Sequence, residues 1–223
     1  MSEMLADHPV EGAKTAQVTV AKYIKLGTKG CWEDLCLADG TLRLGYDEVP
    51  HELAQAGELE RLRAYFVGQG IGAGIASTHT NQVLDFYHAG PETLWITFSA
   101  GHLWWAVADG PVTYLGGSTD EMTARGSRLR QTRDGWHKTS LGGYPLRIPD
   151  LNGALTKTAA YRMTICTVEP FDYLVRKLND EDLPEVAEAK AAKRGILGAC
   201  GFSKPRFWTC ASQLRADSSS NLS

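Results

Sequence analysis

Two apolar runs, Thr93–Ser99 and 102–108, are separated only by Ala100-Gly101. Runs of this length, rich in aromatic and β-branched residues and joined by a tight turn, specify an antiparallel hairpin. Residues 17–26, Gln-Val-Thr-Val-Ala-Lys-Tyr-Ile-Lys-Leu, read as an earlier strand. Residues 41–46 read as another, entered through an Asp39-Gly40 turn. Between these strands and the hairpin, Leu53, Leu59, Leu62, Tyr65 and Phe66 recur at helical spacing. Thr78 and Thr80 are candidate N-caps of a second helix carrying Val83, Leu84, Phe86 and Tyr87, closed by His88-Ala89-Gly90-Pro91. The order strand, strand, helix, helix, then several strands does not alternate as βαβ units must. It predicts an α+β fold: a curved mixed or antiparallel sheet closing toward a barrel, with helices at its edges.

Weaker signals fill in the rest. Gly68, Gly70, Gly72 and Gly74 predict a flexible connection, and 116–126 a polar loop. Residues 111–115, 145–148 and 161–168 are strand-like. Residues 170–197 carry Phe171, Leu174, Val175, Leu178, Val186, Ala187 and Ala191 on one helical side, divided at Pro184. The expected organisation is a flexible tail over 1–16, one domain over 17–180, and a C-terminal helix and disordered tail over 181–223.

Composition then narrows the function. With 43% apolar and 22% charged residues the chain is of globular type, and its formal charge of −3 gives no global attraction to polyanions. The apolar runs fall far short of the ~20 residues of a membrane helix, and the acidic N-terminus (Glu3, Asp7, Glu11) does not read as a signal peptide. Five cysteines, with no C-x-x-C pair, argue against a disulfide framework and a zinc knuckle, so a reducing cytoplasmic setting without metal or cofactor is expected.

No nucleotide-loop, G-x-S-x-G, H-E-x-x-H or dinucleotide fingerprint is present. Glu188-Ala189-Lys190 matches half of a nuclease motif but lies on an Ala- and Glu-rich helical pattern that reads as a solvated face. The informative features are aromatic and basic. Six tryptophans are many for 223 residues. Adjacent Trp104 and Trp105 on one strand must face opposite sides, and Trp32 and Trp136 lie in glycine-bounded, loop-like stretches. Residues 122–149 hold Arg125, Arg128, Arg130, Arg133, Lys138 and Arg147 against Asp134 alone. Such a patch can neutralise phosphates, and a tryptophan within it can stack on a base. The first five cations are the candidate phosphate ligands.

The stretch Tyr23-Ile24-Lys25-Leu26-Gly27, then Trp32, then Leu42-Arg43-Leu44-Gly45-Tyr46 resembles the opening of PUA-like domains, the superfamily of EVE and YTH readers. The stretches 80–87, 93–98 and 103–105 look like the helix–strand–strand part of those folds. Arg130-Gln131-Thr132-Arg133-Asp134-Gly135-Trp136, with 153–157 and 162–166, is similar to the N-terminal regions of Mrr-type modification-dependent restriction endonucleases. The resemblance implies a reader that holds a modified base in an aromatic cage: Trp32, Trp104 or Trp105, Trp136 and Tyr46, with Thr78, Asn81 and Asp47 as polar groups at the base edge. It implies DNA as partner, RNA as the alternative, and a restriction or phage-defence role. The nuclease domain that follows such readers is not expected in this chain, so an effector would act in trans. A protein-interaction module, or a small enzyme using His79, His137, Cys31 and Asp47, remains the alternative from a different class.

Overall fold

The computed structural model describes residues 18–116 and 126–181. Six strands form one mixed sheet in the order β2-β5-β4-β3-β1-β6, curled into a half-barrel. The strands are β1 (Val20–Ile24), β2 (Thr41–Leu44), β3 (Thr93–Ser99), β4 (His102–Tyr114), β5 (Arg128–His137) and β6 (Ile165–Thr167). Among the described residues β1 and β3 pair in parallel and the other neighbouring strands pair antiparallel. The β3–β4 hairpin forms with Ser99 opposite His102, and both turn residues, Ala100 and Gly101, have positive φ.

Both faces of the sheet are apolar, because side chains alternate across it. One face gathers Ala21, Tyr23, Leu94, Ile96, Leu103 and Trp105 against Leu174, Val175 and Leu178 of α6 (Phe171–Leu178). The other gathers Ile24, Leu42, Leu44, Trp95, Ala106 and Trp136 against Cys36 of α1 (Glu33–Asp39) and Phe86 of α4 (Ala73–His88). Trp104 and Trp105 therefore do separate, Trp105 to the first face and Trp104 to the second. A third cluster, with Ala54, Leu62, Phe66, Ala76 and Val83, binds α2 (His51–Ala56), α3 (Leu59–Gly68) and α4 together.

Several boundaries differ from expectation. Residues 51–67 form two helices, because Gly57 adopts a left-handed conformation that ends α2. Helix α4 begins at Ala73, so Thr78 and Thr80 are interior residues. Thr78 Oγ1 donates back to the Gly74 carbonyl, as hydroxyls do inside helices. Residues 145–148 make isolated bridges and lead into a short turn of helix instead of a strand. A short α5 (Gly153–Thr156) is capped by Asn152, whose side chain accepts from the Leu155 N–H. Of the segment 111–115, residues up to Tyr114 continue β4, and the pairing register with β5 shifts between Asp109 and Thr113.

The main correction is β5. The stretch around Trp136 is a central strand held by both β2 and β4. Asp134 and Gly135, both at positive φ, lie where the register with β4 shifts between Val107 and Trp105. That interruption breaks the alternation which would have marked the strand. Arg125, the 117–125 loop, the division at Pro184, both expected tails and Glu188-Ala189-Lys190 lie outside the described residues. No described helix is long and apolar enough to cross a membrane.

Candidate functional site

Two concavities flank one segment of chain, residues 161–165. The first, of about 540 Å³, is lined by Trp32, Tyr46 and His79, by Lys25, Lys29 and Arg162, and by Glu48 together with residues 27–28, 45 and 163–164. Cavities of a few hundred Å³ are the size that encloses small ligands. Cations outnumber acids three to one here, although the whole chain is acidic.

Local sequence builds its walls. Gly27 and Gly30 have φ of 80° and 78°, conformations that cost glycine little, and turn the chain from β1 back over Trp32. A Cβ on Gly27 would come 2.7 Å from the Trp32 ring, and one on Gly126 would come 3.1 Å from its far edge. The indole is therefore packed on glycine backbone, 9% exposed, with its remaining surface toward the cavity. Its Nε1–H is buried and meets no acceptor among the described residues; Asp47 Oδ1 is likewise buried and unmatched. Unsatisfied buried groups are uncommon and costly.

Tyr46 is held at a φ of 65° in the turn after β2. Its hydroxyl lies 2.6 Å from His79 Nδ1, with the rings edge to face, and Phe66 packs on both. Burial raises the Tyr46 pKa and lowers that of His79, so both are neutral near pH 7. A neutral imidazole and a phenol can share this hydrogen bond in either direction, so Tyr46 and His79 orient one another at the cavity wall, and His79 Nε2 is the ring nitrogen not bonded to Tyr46.

The second concavity, a groove of about 790 Å³, lies between α4 and residues 154–170. Thr78 and Asn81 line it, together with Lys22, Lys157, Thr158, Tyr161 and Thr167. Lys22 is tied to Asp85 at 2.9 Å and to Thr167 at 3.0 Å. The wall between the two sites is pinned twice. Buried Gln82 accepts from the Thr164 and Ile165 N–H groups at 2.7 and 2.9 Å, and Lys25 donates to the Tyr161 carbonyl at 2.8 Å.

The expected cage is brought together only in part. Trp32 and Tyr46 share the first cavity; Trp104, Trp105 and Trp136 do not line it. Each of these three donates its indole N–H to a backbone carbonyl, of Ser99, Thr139 and Thr41 respectively, which fixes them in or against the core. Thr78 and Asn81 belong to the groove instead. The enzyme set is also dispersed: His137 packs against Trp105, Cys31 is exposed, and only His79 lines the cavity.

The basic patch needs the larger correction. Arg128 is wholly buried and donates to the carbonyls of Gly45, Tyr46 and Val49 and to the hydroxyls of Tyr87 and Ser127. Arg130, 5% exposed, donates to the carbonyls of Gly110, Phe86 and Ala89. Neither has a guanidinium left for a phosphate. Arg133 is half-buried on β5, and Lys138 lies 5.5 Å above the Trp104 ring. The cations that do surround a cavity come from two places, Lys25 and Lys29 after β1 and Arg162 far along the sequence, so no single charge run points to the set. The glycines at 27, 30 and 45 flanking Trp32 are the signal that could have found this site.

Among the described residues no group of three His, Cys, Asp or Glu side chains could hold a metal. Burial pushes the Cys36 and Cys166 thiols up to about 11, so neither is a thiolate near neutral pH. No protein-family model, no curated protein and no solved structure matches the chain.

Proposed function

We propose that this protein is a nucleic-acid reader that holds one unstacked base in the cavity between Trp32, Tyr46 and His79. The carrying observation is the convergence of two aromatic rings and three cations on one opening in an acidic protein. Unstacking a base costs a few kcal/mol, and stacking on an aromatic ring returns about 1–3 kcal/mol. Lys25, Lys29 and Arg162 meet the adjoining phosphates, which makes binding fall steeply with salt. His79 Nε2, the ring nitrogen not bonded to Tyr46, hydrogen-bonds the base edge.

Within this reading the ligand is DNA with a methylated or hydroxymethylated base, in a restriction or phage-defence setting, with any effector nuclease on another chain.

Binding of the purified protein to short duplexes carrying cytosine, 5-methylcytosine or 5-hydroxymethylcytosine, and to matched RNA, tests this across a salt series. The expected result is preference for a modified duplex, with affinity reduced in W32F and R162A. Absence of binding at low salt would remove the reading; equal binding of all duplexes would remove the modification; tighter RNA binding would move the ligand to RNA.

A further inference from the structure

We propose that the groove between α4 and residues 154–170 is a second nucleotide subsite, taking the base next to the one held in the cavity and reading its identity through Asn81. This rests on the nucleic-acid reading above and assigns the part of the strand beyond the caged base. The two concavities share a wall one segment thick. Thr164 lines the cavity and Ile165 the groove, yet their N–H groups meet the same Gln82 oxygen. Lys25 of the cavity likewise holds the carbonyl of Tyr161 of the groove. A strand that places one base beside Trp32 and crosses this wall delivers its neighbour to the groove.

The groove differs chemically from the cavity in the way this assignment requires. Its charges balance: Lys22 and Lys157 stand against Asp85 and Glu169, and Lys22 is already paired with Asp85. A phosphate gains little there, whereas a neutral base and sugar fit. Tyr161 offers an aromatic surface, and burial raises its hydroxyl pKa, so the phenol remains neutral. Asn81 is exposed on α4 with its amide directed to no protein partner among the described residues, and it carries both a donor and an acceptor. Thr158 and Thr167 add hydroxyls along the same face. The Gln82 and Lys25 hydrogen bonds tie down the wall between the subsites, so a strand held at the cavity presents its neighbouring base to the groove as an intramolecular partner.

The test compares 5-methyl-dCMP with trinucleotides in which each flanking position is varied, using tryptophan fluorescence and calorimetry. Wild-type protein is expected to bind its preferred trinucleotide about tenfold or more tighter than the mononucleotide. N81A, at an exposed position that leaves the packing intact, should lose most of that increment and the flanking-base preference while mononucleotide affinity stays unchanged. Y161F, which keeps the ring, should retain the increment. Unaltered trinucleotide affinity and context preference in N81A, with mononucleotide binding intact, would overturn the subsite alone. Failure of mononucleotide and trinucleotide alike would overturn the reader and the subsite together. Saturable binding of a peptide in the groove, not competed by the trinucleotide, would also overturn it.

Discussion

Two groups of cations in this protein look alike as residues and behave oppositely in the fold. Arg128 and Arg130 sit on a central strand, buried, with their donors committed to backbone carbonyls and hydroxyls. Lys25, Lys29 and Arg162 come from two stretches far apart in sequence and surround an open cavity, with Lys25 also donating to the Tyr161 carbonyl. The first group is wholly structural, whereas Lys29 and Arg162 line the opening. Arg128 grips the carbonyls of Gly45, Tyr46 and Val49, the turn that projects Tyr46 at positive φ toward His79. A guanidinium suits this task because its five donors lie in a fixed planar fork that no lysine reproduces. Clustered charge in a sequence therefore does not identify a polyanion site until burial is known.

The sharpest way to break this contrast is R128M. It removes the guanidinium from three carbonyls and two hydroxyls, of which the Tyr46 carbonyl keeps the Val49 N–H and the Tyr87 hydroxyl keeps His51, so stability should fall by about 3 kcal/mol in urea unfolding. A stable R128M that simply loses nucleic-acid affinity would return Arg128 to the phosphate set. Next in size is G27A, which forces a Cβ into the Trp32 ring and a left-handed conformation on alanine. A loss of about 1–3 kcal/mol, with a shift in tryptophan emission, is expected. The K29A/R162A pair should leave stability within about 0.5 kcal/mol while lowering the slope of log K against log salt by roughly 0.7–0.9 per lost contact. A slope unchanged in this double variant would place the phosphates elsewhere.

The smallest expected effect is on pH. Burial holds both His79 and His137 below their ordinary value of 6.5 in the folded chain. The unfolded chain therefore takes up protons first as pH falls, and stability is retained above 6.5 but lost progressively below it. Urea midpoints measured from pH 8 to 5 should show this decline, and H79Q and H137Q should each flatten it. A decline identical in both variants would assign it to other groups.

The strands β1, β2, β3 and the first half of β4 were legible because each carries a compact β-branched or aromatic run bounded by turn residues. So was the opposition of Trp104 and Trp105, which follows from the two-residue period alone. Strand β5 was not. Its inward positions hold Arg128 and Arg130 instead of aliphatics, and Asp134-Gly135 interrupts its pairing. Polarity statistics read such a stretch as exposed loop, whereas hydrogen-bond supply from neighbouring carbonyls makes burial possible. Trp32 and Tyr46 entered together only as members of the larger aromatic cage that the PUA-like resemblance implies; the placement of Tyr46 beside His79 was not legible, since they stand 33 positions apart with α2 and α3 between them.

The sequence by itself determined the α+β class, the hairpin and the helix-bearing middle, because these depend on periodicity and turn chemistry within a few residues. Only the tertiary structure decided which cations are buried, which tryptophans meet a cavity, and that Thr78 and Asn81 face a different groove. Those outcomes depend on contacts between segments tens of residues apart. There the competition between desolvation and hydrogen bonding is settled by geometry that no local pattern encodes.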